Sequence, residues 1–137
     1  MACAKSANDI SFMGITEDGI AGEQMAFKYL RAKGYKFFQP DAISKKNGEW
    51  YLWECKYQEM FESPPFDGHG LGKWQVEARL KFQKEVGVIA MFIVFEKGKN
   101  DIYIQRFDVL EEGEYLDTKG VKPRRIYPLT SFDHHVI

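Results

Sequence analysis

The sequence predicts an α/β fold with a mixed central sheet flanked by helices. Three observations point to it. Two amphipathic stretches, about 17–33 and 73–86, have helical spacing of apolar residues. Between them, 50–57 alternates: Trp50, Leu52, Glu54 and Lys56 on one face, Tyr51, Trp53, Cys55 and Tyr57 on the other. After the second helix, 88–95 is a continuous apolar run of strand length, as expected of a buried central strand.

Residues 1–16 are polar and mixed, so a loosely held start is expected. Thr16-Glu17-Asp18 offers an N-cap with acids in the first turn, and Gly34 stops that helix. Tyr35 to Gln39 is aromatic and reads as a short strand ended by Pro40. The segment 44–48 reads as a turn, with Asn47-Gly48 as its hairpin signal. Two prolines and three glycines over 58–72 predict a long loop. Gly87 stops the second helix, 97–101 is a turn, and 102–107 alternates and pairs with the strand before it. Beyond Asp108 the pattern weakens, and Ile126-Tyr127 reads as an edge strand closed by Pro128. The expectation is one domain over 1–137, with its core at about 17–107 and with 1–16 and 108–137 peripheral.

The chain has 137 residues, enough to bury a core without staples. Its net charge is −1, from 19 Lys+Arg against 20 Asp+Glu. That balance excludes a simple polybasic nucleic-acid binder but not a nucleic-acid enzyme that gathers carboxylates at its centre. No apolar run approaches the roughly 18 residues of a membrane helix, so no membrane partner is expected. Met1 to Ile10 lacks the apolar stretch of a secretory leader, and two cysteines make no disulfide framework. A cytoplasmic location is therefore expected.

Chemistry concentrates at Pro40-Asp41 and Glu54-Cys55-Lys56. Twelve residues separate the two acids, and the hairpin turn between them brings Asp41 near the strand that bears Glu54. Glu54 and Lys56 share a face with Trp50 and Leu52, so the acid is half-buried, where a charge needs a partner or a metal. Two carboxylates and a backbone carbonyl form a hard oxygen site suited to Mg²⁺. A neighbouring Lys can position or deprotonate water and stabilise negative charge. These are the parts needed to hydrolyse a phosphodiester.

This arrangement resembles the PD-(D/E)xK nuclease superfamily, over roughly 17–107. The resemblance implies a restriction-endonuclease-like α-β-β-β-α-β core. It implies a metal-dependent deoxyribonuclease, similar to phage recombination or restriction-like nucleases or to Holliday junction resolvases. It also implies Asp41, Glu54 and the Cys55 carbonyl as ligands of Mg²⁺, with Mn²⁺ as substitute, and Lys56 as the residue acting on the attacking water. Glu23, in Gly22-Glu23-Gln24, fits the further acid that some branches carry on the first helix. Gln75 fits the glutamine that other branches carry on the second helix. Lys73, Arg79, Lys81 and Lys84 are expected to touch DNA phosphates, and the resolvase branch implies a homodimer.

Two other classes stay open: a nucleic-acid-binding or assembly module with an inactive nuclease site, and an interaction domain whose acids are structural. Three other features count for less. Gly68-His69-Gly70-Leu71-Gly72 lacks the Lys-Ser/Thr of a phosphate loop and reads as a mobile loop. His134-His135 reads as tail. Cys55 reads as core.

Overall fold

The computed structural model describes residues 17–37, 40–63 and 65–137. The chain divides into two compact units, residues 1–39 and 40–137. In the first, α1 (Glu17–Ala32) carries Glu17 and Asp18 at its positive end. It stops at Gly34, whose φ of 92° is left-handed. Tyr35 N–H donates to the Leu30 carbonyl at 3.1 Å and Gly34 N–H to that of Arg31 at 3.0 Å, the paired bonds of a Schellman stop. Phe37 then folds back to 4.7 Å from the Phe27 ring, and Arg31 stacks over both. Residues 35–37 therefore form no strand, which corrects the expectation for 35–39 there. Phe38, Gln39 and the expected loose start at 1–16 lie outside the described residues.

The second unit opens with the hairpin β1 (Ala42–Lys46) and β2 (Glu49–Gln58). Asn47 at φ 52° and Gly48 at φ 81° make a two-residue turn that matches strand twist, so Ser44 to Lys46 belong to β1 and not to the turn. Trp53 Nε1 donates to Ser44 Oγ at 2.7 Å across the hairpin.

The expected loop at 58–72 is a second hairpin, β3 (Phe61–Ser63) and β4 (Phe66–Gly72). Its glycines answer a close backbone approach, not mobility and not a phosphate. A Cβ on Gly68 would lie 2.0 Å from the Tyr127 carbonyl oxygen, and one on Gly70 2.0 Å from that of Arg125.

Next come α2 (Lys73–Val86), β5 (Ile89–Glu96), β6 (Asp101–Arg106) and the short α3 (Phe107–Glu112). The chain closes with β7 (Leu116–Asp117), β8 (Arg124–Pro128) and β9 (Asp133–Val136).

The fold is mixed α/β. One sheet runs β1-β2-β5-β6-β9, with β2 and β5 parallel and the other pairs antiparallel. The parallel pair requires the crossover that α2 supplies. A second, antiparallel sheet runs β3-β4-β8-β7. Ile126 and Tyr127 thus sit inside a sheet and not at its edge.

Residues 108–137 are not peripheral. Leu110, Ile126, Tyr127 and Phe132 are buried, all but Ile126 in the same core cluster as Leu52, Leu71, Val76, Phe92, Val94 and Phe107. On β5 the buried positions are Ala90, Phe92, Val94 and Glu96, all on one face. Leu52 and Glu54 are buried on β2, and this shared inward face carries the candidate site.

Candidate active site

The hairpin register sets the centre. Ala42 pairs with Trp53, so Asp41, one step earlier, falls opposite Glu54. Asp41 N–H donates to the Trp53 carbonyl at 3.1 Å. Asp41 Oδ2 in turn accepts the Cys55 N–H at 2.8 Å. The carboxylate therefore closes the β2 ladder where β1 begins. Trp53 and Cys55 direct their backbone polar groups to this edge, so the Cys55 carbonyl lies along it too. Asp41 and Glu54 flank one peptide, that between residues 54 and 55.

Glu54 is 3% exposed, deeper than the half-burial expected. Two residues on, Lys56 shares its face and is half-buried. Among the described residues its ammonium makes no ion pair. One oxygen of each carboxylate, Asp41 Oδ1 and Glu54 Oε2, has no hydrogen-bond partner among the described residues.

Glu54 Oε1 is held by Arg79 of α2, which donates from Nε at 2.6 Å and also from Nη2. Arg79 is 9% exposed, so its guanidinium meets Glu54 inside the fold and not a phosphate outside it. That corrects its place among the DNA-facing cations. The signal was present in the sequence. Val76, Arg79, Leu80 and Gln83 share one stripe of α2, and a charge in an apolar stripe needs a buried counterion.

Glu23 is exposed on α1, in the first unit. Gln75 Oε1 accepts the Gly72 N–H at 3.1 Å, so its side-chain oxygen caps α2. Lys73 lies 3.7 Å from Asp117. Lys81 and Lys84 are exposed on α2. Cys55 is exposed and not core, because its face of β2 points away from α2. Desolvation of the sulfur, then the charges of Asp41 and Glu54, push its thiol up, so it stays protonated at neutral pH. His134 belongs to β9, where Asp101 Oδ1 lies 2.6 Å from Nε2.

A second buried polar cluster escaped the sequence reading. His69 is 0% exposed on β4, with Nδ1 3.1 Å from Gln58 Oε1 and Nε2 2.8 Å from Glu96 Oε1. Desolvation lowers its pKa, and the hydrogen bond and charge of Glu96 only partly offset that. The folded protein thus takes up the His69 proton at lower pH than the unfolded chain does. Stability should be complete above the unfolded value of about 6.5 and fall as pH drops below it. Thermal melts between pH 7.5 and 5 are expected to show this fall, with a shallower one in His69→Gln. Equal slopes in the two proteins would contradict it.

Among the described residues, no group of three or more His, Cys, Asp or Glu side chains converges on a point. The donors at the centre are two carboxylates and the Cys55 carbonyl. All are hard oxygens with free lone pairs, which fits a cation that keeps several waters. Among the described residues, no helix is long and apolar enough to cross a membrane.

No family model matches the chain, and no curated protein matches it. Among solved structures, it is similar to that of Archaeoglobus fulgidus Hjc, a Holliday junction resolvase from an archaeal hyperthermophile. The identity is 14%, over 81% of this chain and 84% of that one, with a TM-score of 0.43.

Proposed function

We propose that this protein is a divalent-metal-dependent deoxyribonuclease, with Asp41, Glu54 and Lys56 at its centre. The observation that supports this most is the hairpin register. It sets two carboxylates on either side of one peptide, with a lysine two residues on that makes no ion pair among the described residues, at the end of a buried strand face. In this reading Asp41 Oδ1, Glu54 Oε2 and the Cys55 carbonyl hold Mg²⁺ or Mn²⁺. A bound cation would activate water and neutralise charge on the phosphate. Lys56 Nζ stabilises negative charge at the phosphate oxygens and orients the attacking water. Cys55 N–H fixes the rotamer of Asp41. The exposed Lys81 and Lys84 contact the DNA backbone.

The Arg79–Glu54 pair also favours a second reading, an inactive DNA-binding module in which the arginine permanently replaces the cation. The test is incubation with linear, nicked, flapped and four-way DNA in Mg²⁺, in Mn²⁺ and in EDTA. Cleavage in both metals and none in EDTA is expected. Binding without cleavage in any metal would leave the inactive module.

A further inference from the structure

We propose that Arg79 is the internal counterion of the metal position, making cation binding and DNA binding depend on each other. This rests on the nuclease reading. Asp41 and Glu54 bring two formal negative charges to this part of the sheet and Lys56 and Arg79 two positive ones, with Arg79 in direct contact with Glu54, so the formal sum of the four is zero before any metal arrives. Arg79 directs both Nε and Nη2 to the same oxygen of Glu54. That geometry orients Oε2 for a cation but weakens the carboxylate's pull on it.

A nearby unit charge alters proton affinity at a carboxylate by about 10- to 1,000-fold. A cation competing for the same oxygens meets the same opposing charge. DNA brings the missing negative charge, because a phosphate beside the centre balances the metal. The guanidinium stays on Glu54 throughout, so the balance comes from the phosphate charge alone. By linkage, the factor by which DNA raises cation affinity equals the factor by which the cation raises DNA affinity. Arg79 is thus a positioning residue that keeps the free protein poor in metal and loads the cation with its substrate.

The test is Mn²⁺ titration of the protein alone, by calorimetry, for wild type, Arg79→Gln and Arg79→Lys. Arg79→Gln should bind Mn²⁺ roughly 10-fold tighter or more than wild type. Arg79→Lys, which keeps the charge, should stay within about 3-fold of wild type. Arg79→Gln binding no tighter than wild type would overturn the proposal. If Arg79→Gln does not fold, the wild-type protein decides. Its affinity for a short duplex should be roughly 10-fold higher in Ca²⁺ than in EDTA, and equal affinities would overturn the proposal. The two claims separate. Wild type that cleaves DNA in Mg²⁺ while Arg79→Gln gains no Mn²⁺ affinity ends this proposal alone. Wild type that neither cleaves DNA nor binds Mn²⁺, with or without DNA, ends the nuclease reading as well.

Discussion

Lys56→Ala is expected to slow single-turnover DNA cleavage by roughly 10²–10⁴-fold while leaving DNA affinity nearly unchanged. The lysine lies on the inward face of β2 beside Glu54 and makes no ion pair among the described residues. Its charge is therefore available to the substrate and not spent on holding the fold. An interaction strengthened only in the transition state lowers the rate and not the affinity. Lys56→Arg should not restore the rate, because a planar guanidinium has a different reach and does not give up its proton. The measurement is cleavage of labelled DNA in Mg²⁺ beside a binding assay in Ca²⁺. An undiminished rate in Lys56→Ala would remove this residue from the chemistry.

Glu54→Ala is expected to lower folding stability by about 3–5 kcal/mol, because it strands the Arg79 guanidinium without its counterion. Both partners are buried, at 3% and 9% exposure, so water cannot replace the lost carboxylate. Glu54→Ala is therefore a poor probe of catalysis by itself. Glu54→Leu combined with Arg79→Leu, which removes both charges, should recover most of the loss. Urea unfolding of the three proteins checks this. A loss under about 1 kcal/mol for Glu54→Ala would mean that the pair resembles an exposed one.

The placement of Asp41 beside the strand that bears Glu54 and Lys56 was legible in the sequence because it rests on two local rules. Alternation along β2 puts Glu54 and Lys56 on one face, and the Asn47-Gly48 turn fixes the register that brings Asp41 opposite Glu54. The span of α2 was legible for the same reason, since helical spacing and the Gly87 stop are local signals.

What escaped depends on partners distant in sequence. Gly68 and Gly70 look like loop residues until β8 is placed against them, for their lack of side chain answers the Tyr127 and Arg125 carbonyls. Residues 108–137 show weak periodicity because they contribute short strands, each partly covered by others. Arg125 shows how these are tied together. It pairs with Asp117 at 2.8 Å and with Glu111 at 2.7 Å, and Glu111 also accepts the Tyr127 hydroxyl at 2.8 Å. His69 carries no local signal, because its partners Gln58 and Glu96 lie on two other strands.

The central claim is that the Asp41–Glu54–Lys56 centre hydrolyses DNA, and the most direct measurement of it is cleavage by wild type and Asp41→Ala in Mg²⁺. Asp41 is exposed, and among the described residues its carboxylate accepts one hydrogen bond, from the Cys55 N–H, so Asp41→Ala costs only about 1 kcal/mol and leaves a folded protein to compare. Wild type should cut the DNA and stop on addition of EDTA. Asp41→Ala should bind the same DNA in Ca²⁺ and leave it intact in Mg²⁺. Cutting by Asp41→Ala at the wild-type rate, or no cutting by wild type on any of the four DNA forms, would contradict the claim.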